Sequence, residues 1–489
     1  MSRNTLYYGS FVHSTSLTQL EYLVDTLVYV SDGSIVWIET DVHTSQLQDV
    51  TAKHGLDLEG LATTHGTDFV QLDERDFICP GLIDTHTHAP QYPNLGLGQE
   101  YELLDWLQYL TFPREAKFTD LEYAEKVYDQ VVKRNLNAGT TTCSYYASQH
   151  VSSARVLADV VLERGQRALV GKCNMNRNCP DYYCEASPEA SVEDTRALIS
   201  YIRDLQPSKL PWKSANSSPL VQAVITPRFA LSCTSDLMQG LGELMDSEPD
   251  VHIQTHLSEN RTEIQETLRS FPECKSYTEV YEKYGMLRNG TILAHCVWLT
   301  EQEMDVIKRT GAGISHCPTS NFNLMSGGAR VGAMLDKGLN VGLGSDCSGG
   351  FALGVLPQLR NASMLSKMLA IQPEKPHGQV NGQAGQFTDK PLSIPTLFYL
   401  ATMGGAALCK MADTVGNFLP GKEFDALHVT PGTSPNFFLD VGEAKPIGQT
   451  RDERRTKLKE TFERFLFVSD DRDIAHVYVR GRKVGGAKQ

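Results

Sequence analysis

Two histidines two residues apart, His86 and His88 in Pro80-Gly-Leu-Ile-Asp-Thr-His-Thr-His, project to one side of an extended chain, so both imidazoles can reach a single metal ion. The pair alone is weak evidence, because surface or hydrogen-bonded histidines share that spacing. Three companions strengthen it: His256 in Gln-Thr-His-Leu-Ser-Glu259, His295 in Leu-Ala-His-Cys, and Asp346 in Gly-Ser-Asp-Cys, each at the end of a short apolar run. Neutral imidazoles with a carboxylate form a nitrogen and oxygen donor set suited to zinc or ferrous iron, with room for a bound water. Each companion also has an ordinary reading. His256 could be a satisfied core histidine, His295 a strand cap, and Asp346 a carboxylate bonded to backbone in a Gly-rich turn. Their joint placement favours the metal.

The chemistry such a set supports is hydrolysis. A bound zinc brings the pKa of its water down to about 7, which makes a nucleophile available near neutral pH. Glu259, three residues beyond His256, could carry a proton at the same place, or could merely open a helix. Other chemistries fit poorly. The chain has no His-Glu-x-x-His, no Pro-Cys-x-x-Cys after a His-x-Glu and no Gly-x-Gly-x-x-Gly, the marks of metalloproteases, small nucleoside deaminases and dinucleotide binders. Gly416-Asn-Phe-Leu-Pro-Gly-Lys-Glu423 has the glycine and lysine spacing of a phosphate loop. Glu423 replaces its hydroxyl, however, and Pro420 removes a backbone donor.

These residues need a scaffold that gathers strand ends. Eight apolar or β-branched runs alternate with stretches long enough for helices: Phe77–His88, Gly139–Ala147, Ala168–Asn176, Val221–Leu231, Val251–Leu257, Thr291–Trp298, Ala312–Pro318 and Val341–Cys347. That alternation predicts an α/β fold, a closed (β/α)₈ TIM-like barrel, whose chemistry sits at the C-terminal strand ends. The first 75 or so residues alternate apolar and polar positions, as in Thr26–Ser31 and Ser34–Glu39. Asn436–Val441 and His476–Gly481 do so again near the other end. Both termini are therefore expected to share a small discontinuous β-sandwich, residues 1–76 and 413–489, around a barrel at 77–412. Pro211, Pro219 and Gln372–Gln386 are expected in loops.

A chain of 489 residues with 41% apolar content can bury a large core and a smaller one. Its net charge of −14 argues against nucleic acid or anionic membrane as a partner. Met1–Ser14 holds no apolar run of signal-peptide length and no later stretch suffices for a bilayer, so a soluble cytoplasmic protein is expected. The eleven cysteines are odd in number and lack a repeated short spacing, which makes a disulfide framework improbable. Cys179 and Cys184 are not a Cys-x-x-Cys and have no second pair to complete a thiolate zinc site.

The constellation resembles the amidohydrolase superfamily over nearly the whole chain: a His-x-His on strand one, a histidine on strand five and an aspartate on strand eight. His88-Ala-Pro-Gln91-Tyr, Leu103-Leu-Asp-Trp-Leu, Thr111-Phe-Pro, Thr226-Pro-Arg228-Phe229 and His256-Leu-Ser-Glu259-Asn-Arg are similar to its guanine-deaminase branch. The resemblance implies hydrolysis of guanine to xanthine and ammonia, with one Zn2+ per chain held by His86, His88, His256 and Asp346. A bridging lysine for a second metal would stand at the end of strand four, where the chain reads Ile225-Thr-Pro-Arg-Phe229. It further implies that Glu259 protonates the ring, that Asp346 accepts the attacking water's proton, and that His295 bonds or binds that water. Gln91 would pair with purine edge atoms, Arg228 with the O6 carbonyl, and Phe229 with the ring face. Relatives commonly form homodimers, and the Gly416–Glu423 segment resembles the turn by which they re-enter the β domain, with Glu423–Leu427 as its next strand. The alternatives are a deaminase or amide hydrolase of a pyrimidine, triazine or adenosine-type substrate, and a non-enzymatic scaffold on the same fold.

Overall fold

The structure, a computed structural model, describes residues 4–61, 66–209, 218–372, 385–437 and 450–488. Alternating residues in Asn4–Ser16 (β1) and Gln19–Ser31 (β2) form a long antiparallel hairpin that continues into Ser34–Glu39 (β3). Gly33 makes the tight turn between β2 and β3 with φ 83°, and a Cβ there would stand 2.6 Å from the Arg480 carbonyl oxygen. Thr67–Gln71 (β4) and Phe77–Pro80 (β5) lie parallel to β1.

The expected run Phe77–His88 divides at Gly81, and its second half, Leu82–His88 (β6), opens a parallel eight-stranded sheet. The other members follow in chain order: Thr140–Ala147 (β7), Arg167–Asn174 (β8), Val221–Pro227 (β9), His252–Leu257 (β10), Thr291–His295 (β11), Gly313–His316 (β12) and Asn340–Leu343 (β13). Each lies within, or one residue beyond, one of the eight apolar runs. β6, β7 and β8 are buried at every residue, which is why they read as continuous apolar or β-branched stretches. The barrel closes between β6 and β13 by single bonds: Thr85 Oγ1 donates to the Leu343 carbonyl (2.9 Å) and Asp346 N to the His86 carbonyl (2.8 Å). Gly344 permits that approach, since a Cβ there would meet His86 Cβ at 2.8 Å.

Local signals set the intervening helices. Asp120 accepts from the Glu122 and Tyr123 N–H groups to start helix 121–137, Thr300 and Glu303 form a reciprocal cap on helix 301–310, and left-handed Gly165 ends helix 151–164. After the barrel, Ala426–Val429 (β14) pairs antiparallel with β5, and Ile474–Val479 (β15) and Arg482–Gly485 (β16) each add antiparallel to the strand before, so both termini build one sheet. A buried arginine joins the two sheets: Arg167 at the start of β8 pairs with Asp425 (3.0 Å) and with Glu423, which also binds Arg480 (2.6 Å). Burial opposes its charge, but the two carboxylates more than offset this and raise its pKa.

The strand expected from Glu423 starts at Ala426. The strand expected at Asn436–Val441 is a turn at Asn436 and Phe437, where Ser434 Oγ accepts from Asn436 N (3.2 Å), and its remainder lies outside the described residues. Pro219 lies in a loop, whereas Pro211 and most of Gln372–Gln386 fall outside the described residues. Cys179 and Cys184 are disulfide-bonded, and the other nine cysteines are free and buried. Among the described residues no helix is long and apolar enough to cross a membrane.

His252, 5% exposed at the start of β10, makes the fold sensitive to acid. Burial, then Lys410, depresses its pKa to about 4, below the unfolded value of about 6.5. The fold therefore excludes a proton that the unfolded chain binds. Its contribution to stability is complete above pH 6.5 and lost as pH falls through 4, a change of about 3 kcal/mol. Denaturant unfolding of His252→Asn should show a flatter decline over that window, and an unchanged slope would place the acid sensitivity elsewhere.

Candidate active site

The strand ends collect five side chains into one cluster. His86 and His88 close β6, His256 lies near the end of β10, His295 ends β11, and Asp346 stands three residues past β13. His86 Nε2 is 3.1 Å and His88 Nε2 3.5 Å from Asp346 Oδ1, His88 Nε2 is 3.2 Å from His256 Nε2, and His295 Nε2 is 3.7 Å from Asp346 Oδ2. One donor atom from each of His86, His256, His295 and Asp346 lies within 4.8 Å of the others. His295, a companion in the sequence pattern that the resemblance places on the water, joins this group with the expected ligands His86, His256 and Asp346, whereas the expected ligand His88 stands outside it.

The donor set fits a divalent metal. His256 Nδ1 lies 2.5 Å from the Arg228 carbonyl oxygen, which can only accept, so the proton sits on Nδ1 and the Nε2 lone pair faces the cluster. His295 Nδ1 is held by Asn321 Oδ1 (2.8 Å), while its Nε2 is buried and makes no hydrogen bond, as is true of His86 Nδ1. Burial holds the His86, His88 and His256 rings below the ordinary imidazole range, in the neutral form that binds metals. Asp346 behaves oppositely. Burial favours its neutral form, but the hydrogen bond with His86 holds its carboxyl well below the usual range.

Strained backbone sets these directions. Ser258, His295, Cys296 and Asp346 all have φ between 45° and 70°, a left-handed region costing about 1–2 kcal/mol per non-glycine residue. Bonds between strand ends impose it, including Cys296 N to the Leu257 carbonyl (3.0 Å) and Asp346 N to that of His86. Asp84, buried two residues before His86, accepts from Ser345 N (2.9 Å) and His86 N (3.2 Å), and burial pushes its pKa up to about 6.

Glu259 is 2% exposed and does not cap the following helix. Asn260 is that N-cap, and Glu263 completes the box by accepting from the Asn260 and Glu259 N–H groups. The Glu259 carboxyl lies 3.5 Å from His295 Nε2 and accepts from Ser326 Oγ at 3.3 Å. Burial, reinforced by the charge on Asp346, pushes its pKa well above the carboxylate range and so favours its protonated form.

His88, Gln91, Arg228, Phe229, His256, Glu259 and Asp346 line one recess of about 20 Å³, walled by Leu103, Trp106, Leu107 and Leu324. Cavities of about 470 and 490 Å³ elsewhere lack this constellation. Gln91 and Arg228 have fixed partners within the protein. Gln91 Oε1 accepts from Ser348 N (3.1 Å) and its Nε2 donates to Glu115 (2.8 Å), while Arg228 pairs bidentately with Glu115 at 2.7 and 3.2 Å. Sequence reasoning missed Glu115, although it stands only two residues beyond Thr111-Phe-Pro. It also missed Asp84, Glu263 and Asn321, whose roles depend on partners the sequence does not reveal, and the buried Trp106 indole N–H, which has no partner.

A (β/α)₈ barrel with histidines and an aspartate at its C-terminal strand ends defines a metal-dependent hydrolase scaffold. Residues 77–484 match the Amidohydrolase family. The chain belongs to that family. It is 42% identical over 481 residues to the probable guanine deaminase of Schizosaccharomyces pombe, covering 98% of this chain and 83% of that one. It is 37% identical over 485 residues to the guanine deaminase of Dictyostelium discoideum, covering 98% of each. The crystal structure of guanine deaminase from C. acetobutylicum with bound guanine in the active site superposes with a TM-score of 0.79 at 32% identity, covering 98% of this chain and 99% of that one.

Proposed function

We propose that the protein hydrolyses guanine to xanthine and ammonia. The observation that carries this reading is the meeting, in one recess, of the histidine and aspartate cluster, a buried glutamate whose protonated form burial favours, and the Gln91, Arg228 and Phe229 set. The metal, taken as one Zn2+ per chain, would be held by His86, His88, His256 and Asp346, with His295 close enough to share the same water. When bound, the ion supplies a water of lowered pKa as nucleophile.

The chain's own residues supply the remaining functions. Phe229 packs on the purine face, and Arg228 donates one of its free N–H groups to O6. The remaining Gln91 N–H meets a ring-edge acceptor. As water adds at C2, Asp346 takes its proton and Glu259 gives one to N3, which accepts the electron density released by addition. As the C2–N bond breaks, Asp346 returns its proton to the amine, which leaves as ammonia, and Glu259 takes the hydroxyl proton so that C2 becomes a carbonyl and both carboxyls return to their starting states. Adenine, lacking O6, would leave the Arg228 donor buried and unpaired. Family resemblance further supports a cytoplasmic homodimer.

Ammonia release from guanine by the purified protein tests this reading. Activity should vanish with a strong chelator and return with zinc, and metal analysis should find close to one equivalent per chain. Two equivalents at full activity would refute a single-metal site, whereas turnover of another aminated heterocycle in preference to guanine would replace the substrate.

A further inference from the structure

Glu115 is wholly buried at the end of helix Phe112–Glu115 and touches no member of the histidine cluster. Its two oxygens accept four hydrogen bonds: two from the Arg228 fork (2.7 and 3.2 Å), one from Gln91 Nε2 (2.8 Å) and one from Tyr183 OH (2.9 Å). A carboxylate offers about four lone-pair sites, so it has none left for a ligand. These donors come from three places in the fold: Gln91 from the turn after β6, Tyr183 from the connection after β8, and Arg228 from the residue following β9. Burial disfavours the guanidinium charge, and Glu115 more than compensates.

We propose that Glu115 is the positioning residue for purine-edge recognition. It fixes Arg228 and Gln91 in one register, so that the free Arg228 N–H groups meet a carbonyl at C6 and the remaining Gln91 N–H meets a ring-edge acceptor without reorganising, an inference that rests on the functional reading above. Two features separate this role from general support of the core. Gln91 is held from both sides, by Glu115 and by Ser348 N, so its amide cannot turn over. The Arg228 fork spans both carboxylate oxygens and cannot rotate without breaking two bonds.

Glu115→Gln keeps the shape but leaves one acceptor oxygen for four donors. The test compares parent and variant for metal content, guanine kinetics and equilibrium binding of guanine and of 2-aminopurine, which has the same ring and amine but no C6 oxygen. The variant should keep its metal and lose roughly 30- to 100-fold in kcat/KM for guanine, mainly through KM, as for a misplaced charged hydrogen bond. Binding of 2-aminopurine, which offers no oxygen to Arg228 and keeps only the Gln91 contact, should fall about 10-fold less than binding of guanine. In an Arg228→Met background the same substitution should cost about 10-fold less on guanine than it does in the parent, since there is no fork left to position and Gln91 is still held by Ser348 N. Equal losses for both purines, loss of metal, or an undiminished effect in the Arg228→Met background would each overturn the proposal. If Glu115→Gln fails to fold, Glu115→Asp keeps the charge, shortens its reach and carries the same comparison. A parent that releases no ammonia from guanine would sink the functional reading alone. The binding ratio of the two purines would then still decide the role of Glu115, and a parent that binds neither purine overturns both.

Discussion

Glu259→Gln is expected to keep its metal and its guanine affinity while kcat falls by about 10²–10⁴, the usual contribution of a positioned acid or base. Two observations motivate the size. Glu259 is buried between Asp346 and Ser326, where burial and the neighbouring negative charge favour its protonated form. Its main chain is pinned by Glu263, so the substitution disturbs little else. Glutamine fits the space and donates a hydrogen bond, yet cannot release a proton to N3 or recover one. Metal content, guanine binding and kcat measured on one preparation separate the outcomes. Loss of metal would make Glu259 a ligand, and near-normal kcat would pass proton transfer to His295 or Asp346.

Arg228→Ala should show two large effects. Losing the charged donor to O6 should lower kcat/KM by an amount equivalent to about 2–4 kcal/mol. The structure adds a cost that the sequence did not reveal. Glu115 would remain fully buried with its guanidinium partner gone, and breaking a buried pair from one side destabilises by about 3–5 kcal/mol. Urea unfolding of Arg228→Met/Glu115→Gln should recover a substantial part of that stability, because no unpaired charge is left, while activity stays low. If the single variant is as stable as the parent, water reaches Glu115 and the pair is not sealed. If the double variant regains activity, O6 is read by another donor.

The legible parts of this protein were those fixed by short-range pattern. Parallel strands buried on both faces must be apolar, and their ends must carry whatever polar residues the molecule needs, so the eight runs and the His86, His88, His256, His295 and Asp346 positions stood out together. Element ends were less legible. Phe77–Pro80 and Leu82–His88 form one apolar run, but β5 belongs to the terminal sheet and β6 to the barrel. Hydrophobicity does not say which neighbour a strand will find, and a single glycine marks the change. Asn436 and Phe437 carried strand-like residues, yet the Ser434 turn set their conformation.

The sequence by itself determined the barrel, the sheet shared by both termini, the proposed ligand types and the acid near them, because each depends on residue identity at a spacing of a few positions. Only the tertiary structure decided how those groups are held. Glu115 meets Gln91, Tyr183 and Arg228 across 24, 68 and 113 positions, and Asp84 meets Ser345 across 261. Such pairs leave no periodic trace, since a buried carboxylate is tolerated wherever the fold happens to bring donors to it. The same holds for proton location: burial and the Asp346 charge, rather than the identity of residue 259, favour a protonated Glu259 beside an ionised Asp346.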